Sequence, residues 1–127
     1  MPRPDPLGLL LISGSYERAH YAFMLAAGAG AVGRTVVLFA TNRGCLALCR
    51  DWSGLDGAAA DAETRARGVA GLAELREAAL ELGTVAMACD SGLRLAGLDP
   101  ALLLPEVVVA GIPAFLSAVG AGQMLSL

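Results

Sequence analysis

Two unbroken apolar runs, LGLLLIS at 7–13 and TVVLFA at 35–40, stand on either side of one helical stretch. Neither run alternates apolar with polar residues, so neither reads as a strand with one wet face. Runs of this kind belong to strands covered on both sides, as in parallel sheets. Between them, residues 16–32 place Tyr21, Met24, Leu25 and Gly28 at spacings of three and four, which gives a helix one apolar face. Gly14 and Ser15 precede that helix as turn and cap, and Gly33 stops it. Strand, helix, strand within about thirty residues is a βαβ unit, with a parallel pair and a right-handed crossover.

The pattern continues. A short helix is expected at 45–50, after Thr41-Asn42-Arg43-Gly44, and residues 51–67 read as a mobile polar loop with at most a fragment of helix. Residues 68–82 form an amphipathic helix with Val69, Leu72, Ala79 and Leu82 facing in and Glu74, Glu77 and Glu81 in water. A third strand at 84–89 ends in Cys89 and runs into a helical turn. Pro100 opens another turn, to 104; then come a strand at 106–110, a helix at 114–119 with Pro113 before it, and a last strand at 123–127. The expected fold is α/β: a three-layer α/β/α arrangement around a mostly parallel sheet of about five strands. No internal repeat or linker divides the chain, so 1–127 reads as a single domain, with residues 1–6 a frayed lead-in.

Composition excludes some functions. A net charge of −3 and the absence of a basic aromatic cluster argue against nucleic-acid binding. Hydrophobic residues are 56% of the chain, which raises the question of a membrane. Residues 107–127 carry no charge, but they hold Gly111, Pro113, Gly120 and Gly122 and divide into strand, helix and strand, so no membrane span is expected. The excess apolarity fits a buried sheet together with an interface between copies of the chain. Three cysteines without a secretory signal suit a reducing cytoplasm rather than a disulfide framework.

Chemistry centres on Cys89. The spacing puts a thiol at the carboxyl end of a strand and the entrance to a helix, where open α/β sheets act on ligands. Unpaired N–H groups at Asp90, Ser91 and Gly92 would favour an anion there, the thiolate included. Ser13 and Gly14 after the first strand, and Asn42 after the second, are candidate anion or substrate contacts on the same edge. Asp90 would raise the thiol pKa if it pointed inward, and is expected to turn out and cap the helix. Cys45 and Cys49, four apart, read either as second thiols near Cys89 or as two small buried residues. Their spacing is not that of a zinc site, so no metal or other cofactor is expected. His20 reads as a satisfied helix residue or an assistant to a thiol. The GAGAVG run at 28–33 matches a dinucleotide fingerprint formally, yet it precedes a strand instead of following one.

Three segments carry a family resemblance: LLLISGSYERAHYAFMLAAGAGAVGRTVVLFAT, LREAALELGTVAMACDSGLRLAGL and EVVVAGIPAFLSAVGAGQMLSL. In order and texture the chain resembles the DsrE/DsrF-like family of small sulfur-relay proteins, sometimes labelled peroxiredoxin-like. The resemblance implies a persulfide carrier, or sulfurtransferase, in which Cys89 takes sulfane sulfur from a donor protein and passes it to an acceptor. It also implies a homo-oligomer, whether trimer, dimer or hexamer. Cys45, Cys49 and the 51–67 loop depart from the family's pattern. Two other classes stand beside this reading. One is a non-catalytic binding or assembly module. The other is a thiol peroxidase, against which Ala86 stands where a peroxidatic loop would place Thr or Ser.

Overall fold

The computed structural model describes residues 5–127; of the expected lead-in, residues 1–4 lie outside the described residues. Five parallel strands form one sheet in the order β4-β3-β2-β1-β5. They are β1 (Leu7–Leu11), β2 (Val36–Ala40), β3 (Val85–Cys89), β4 (Val108–Ala110) and β5 (Met124–Ser126). The helices are α1 (Tyr16–Ala31), α2 (Ala60–Ala66), α3 (Leu72–Glu81), α4 (Asp90–Ala96) and α5 (Ile112–Val119). Two 3-10 segments, Asn42–Leu48 and Pro100–Leu102, complete the chain.

The topology follows from handedness. Strands β1 to β4 step in one direction across the sheet, so right-handed crossovers put α1 and α3 on one face. The chain then returns past β1 to place β5 on the far side, which reverses the step and puts α5 on the opposite face. The two faces divide the strand residues by parity. Leu7, Leu9, Leu11, Val36, Leu38, Ala40, Ala86 and Ala88 join the larger core with α1 and α3. Val37, Phe39 and Cys89 pack with Phe115 and Val119 of α5, flanked by Leu10 and Met87. Phe39 and Phe115 stack with ring centroids 5.0 Å apart. Gly8 sits under α5, where an added Cβ would come within 2.6 Å of Val119 Cγ2, so the close seat of this helix needs a glycine there.

Several boundaries depart from the sequence expectation. The helix at 45–50 is a 3-10 segment beginning at Asn42, a residue in the left-handed region with φ 53°. The 51–67 stretch is an ordered connection that includes α2. Asp61 accepts from the Tyr16 hydroxyl at 2.6 Å and from the Leu72 amide at 2.9 Å, so one carboxylate ties α2 to α1 and caps α3. The amphipathic helix starts at Leu72, and Val69 and Leu82 are exposed, because Gly68 and Gly83, both at positive φ, bend the chain off the helix at either end. Tyr21 of α1, expected to face in, is exposed. Among the described residues no helix is long and apolar enough to cross a membrane.

Candidate functional site

Cys89 is at once the last residue of β3 and the N-cap of α4. Its backbone is extended, at φ −69° and ψ 124°, and its Sγ accepts a hydrogen bond from the Gly92 amide at 3.3 Å. A thiol thus does the capping that Ser, Thr or Asp usually does at a helix start. Asp90 was the expected cap. It turns outward as expected, but it pairs with Arg94 at 3.3 Å and leaves the capping to Cys89. Since α4 has only seven residues, the direct N–H contact, more than a long helix dipole, is what the sulfur meets. Cys89 is 6% exposed, on the α5 side of the sheet, beside Ala110 of the edge strand β4.

The other expected site residues are strung along the same carboxyl edge. Gly92 presses against the turn after β2: a Cβ there would collide with Thr41 Oγ1 and the Asn42 amide. A side chain at 92 would push α4, and with it the Gly92 N–H, away from Cys89. Asn42 is exposed, with Oδ1 accepting from Thr41 Oγ1 at 3.2 Å. Ser91 is exposed on the first turn of α4. Ser13 and Gly14 lie further along, and they are engaged within the chain. Ser13 Oγ accepts from the Ser15 amide at 3.0 Å, the Gly14 carbonyl accepts from the Asp56 amide at 2.8 Å, and Arg43 covers Gly14. Ser13 and Gly14 are therefore half-buried and engaged within the chain, whereas Gly92 meets Cys89 Sγ directly and rests on the Thr41-Asn42 turn.

Cys45 and Cys49 are buried in the larger core, and Cys45 lies close to Cys89, whose main chain hydrogen-bonds its thiol. Cys45 Sγ donates to the Ala40 carbonyl and Cys49 Sγ to the Cys45 carbonyl, each at 3.5 Å. Burial pushes the Cys45 thiol up to about 12; a hydrogen bond from the Cys89 main chain opposes this, and the charges of the neighbouring Cys89 and Cys49 thiols add to it. Burial also raises the Cys49 thiol, against an opposing effect of Arg76. His20 is satisfied: its Nε2 lies 2.8 Å from the Ala70 carbonyl.

Arg76 went unnoticed in the sequence. It is 8% exposed, and its Nη1 donates to the carbonyls of Ala47 at 2.9 Å and Cys49 at 2.6 Å. This guanidinium caps the carboxyl end of the Asn42–Leu48 segment, the turn on which Gly92 rests. A signal was present: position 76 shares the inward phase of Leu72 and Ala79.

No protein-family model matches the sequence, and no curated protein matches it. Solved structures do. The crystal structure of the YchN protein from Escherichia coli superposes with a TM-score of 0.73 at 12% identity, covering 97% of this chain and 99% of that one. The protein of unknown function MTH1491 from Methanobacterium thermoautotrophicum superposes with a TM-score of 0.64 at 16% identity, again over 97% and 99%. Both have the DsrE-like fold, and at these identities the likeness is one of fold.

Proposed function

We propose that this protein carries sulfane sulfur as a persulfide on Cys89 and passes it to the thiol of a partner. The observation that carries the reading is the Gly92 N–H bonded to Cys89 Sγ at the carboxyl edge of the sheet. The DsrE-like fold and its link with sulfur relay support it. In the loading step the Cys89 thiolate attacks the outer sulfur of a donor persulfide. One S–S bond forms on Cys89, one breaks on the donor, and the donor leaves as a thiolate. In the unloading step an acceptor thiolate takes the outer sulfur and Cys89 is regenerated. The Gly92 amide donates to the Sγ at which the S–S bond forms and breaks, and so holds the attacking atom in place.

The reading extends to assembly as a homo-oligomer. The charge-free segment 107–127 leaves Val108, Ile112, Leu116 and Met124 exposed on the face that α5 partly covers, the face of Cys89. A second copy is the occupant that removes these residues from water.

One observation favours a second reading. Cys89 is only 6% exposed, as expected of a binding or assembly module whose cysteine is structural. Intact mass after treatment with polysulfide separates the two. The carrier gains about 32 Da per sulfur, reversibly with dithiothreitol, and Cys89→Ser gains none while keeping its fold. A wild-type protein that gains nothing while a small thiol reacts is the binding module.

A further inference from the structure

A cleft of about 400 Å³ opens between the end of the first 3-10 segment and the 98–102 turn, apart from Cys89. Leu46, Leu98 and Leu102 make its apolar walls, and Cys49 lies in its lining. Leu102 is half exposed, so this wall is apolar surface left to water. Arg50 and Asp51 supply the charge, and the two differ in how far they are already used. The Asp51 carboxylate accepts from the Ser53 amide at 2.9 Å, and Ser53 holds it below its usual carboxylate range. The Arg50 Nη1 donates to the Ala101 carbonyl at 2.9 Å, while Nη2 and Nε have no hydrogen-bond partner among the described residues, and no carboxylate lies within ion-pair distance. The cleft therefore offers apolar walls and a cation with free donors, with the nearly buried Cys49 at its wall and the Asp51 carboxylate beside it. That combination suits a ligand with an apolar body and an anionic group.

We propose that this cleft is a second site, taking a small organic disulfide or thiosulfonate with an apolar body and an anionic group held by Arg50, and that Cys49 exchanges with it. The step needs no outside oxidant. The Cys49 thiol gives its proton to solvent and the thiolate attacks the near ligand sulfur. A bond forms between Cys49 Sγ and that sulfur, the ligand's S–S bond breaks, and the other half leaves with the electron pair as a thiolate or sulfinate. Burial keeps Cys49 protonated at neutral pH, so occupancy of the cleft is what makes the exchange selective. The site is independent of the role given to Cys89.

The probe is 5,5′-dithiobis(2-nitrobenzoate), an aromatic disulfide with a carboxylate on each ring, applied to folded Cys89→Ser protein. Peptide mapping should find the adduct on Cys49, with fully buried Cys45 unmodified. Arg50→Gln should slow this reaction about three- to tenfold and Arg50→Lys should restore most of it, while neutral 4,4′-dithiodipyridine reacts with all three at similar rates. The Arg50 variants are compared only after their denaturation midpoints confirm that they are folded. Should Arg50→Gln unfold, the Arg50→Lys protein and the ratio of anionic to neutral reagent on the Cys89→Ser parent decide the matter. No adduct on the folded protein, equal labelling of Cys45 and Cys49, or an Arg50→Gln rate equal to its parent's would overturn the proposal. None of these results depends on persulfide loading of Cys89.

Discussion

The two faces of the sheet are built to different standards. On one, α1 and α3 lie side by side over β1, β2 and β3 and enclose the larger core, with Leu9, Leu11 and Leu38 fully removed from water. On the other, the eight residues of α5 reach over β1 and β2 and bury a cluster around Phe39 and Phe115. Around that helix, apolar side chains of β4, β5 and α5 itself stay exposed. The first face supplies most of the burial that holds the chain folded. The second leaves surface over, and Cys89 belongs to it. In this molecule Cys89 sits where folding is least finished, and Cys45 and Cys49 sit where it is most finished.

That contrast can be broken most directly by truncating one leucine on each face. Leu38→Ala, at 0% exposure in the larger core, should lose about 2–5 kcal/mol in urea denaturation. Leu116→Ala, at 52% exposure on α5, should lose less than about 0.5 kcal/mol when measured on dilute monomer. Similar losses would mean that the faces do not differ as described. Next comes Arg76→Met. It leaves the Ala47 and Cys49 carbonyls without their charged donor and should lose about 2–3 kcal/mol. It should also loosen the turn against which Gly92 rests, seen as faster amide exchange at 90–92.

The alkaline limb of stability sharpens the comparison from the thiol side. Cys45 keeps its proton to about 12 when folded, while a thiol in the unfolded chain ionises near its ordinary value of 9.0. Above that ordinary value the folded state binds more protons than the unfolded state, so stability falls as pH rises from about 9 towards 12. The loss from Cys45 is at most about 4 kcal/mol at the top of the window. Denaturation midpoints from pH 8 to 11 should fall more steeply in wild type than in Cys45→Ala. Equal slopes would remove Cys45 as the cause. The smallest expected effect on the fold is that of Leu116→Asp, within about 0.5 kcal/mol. Its readout is assembly: light scattering should show the wild type larger than a monomer and the variant shifted towards one. A wild type that stays monomeric at every concentration would leave the α5 face without its proposed partner.

Much of this architecture could be read from the chain. The apolar runs and the glycine stops located every strand to within a few residues, and the position of Cys89 at a strand end followed from them. The cap did not. Asp90 has the ordinary capping chemistry, and only the three-dimensional turn shows that Sγ reaches the Gly92 amide while Asp90 reaches Arg94. The order within 51–67 was hidden for a similar reason. A polar stretch without period looks loose until Tyr16 and the start of α3 are found converging on Asp61. The contacts of Arg43 and the Asp56 amide with Gly14 were hidden in the same way.

What the sequence determined by itself is what depends on neighbours along the chain. Strand and helix periods, turn glycines and the absence of charge after residue 106 decided that the protein is a parallel α/β fold. They also decided that one of its three thiols stands at the carboxyl edge of the sheet. The tertiary structure alone decided which face each thiol takes. Strand residues alternate sides, so Cys89 shares a side with Val37 and Phe39, and the reversal of chain direction before β5 makes that the side of the single short helix α5. Cys45 and Cys49 join the larger core because the turn after β2 folds beneath it, held there by a guanidinium from α3 nearly thirty residues away. Alternation is local, but what covers each side depends on contacts between distant segments, which no stretch of sequence specifies on its own.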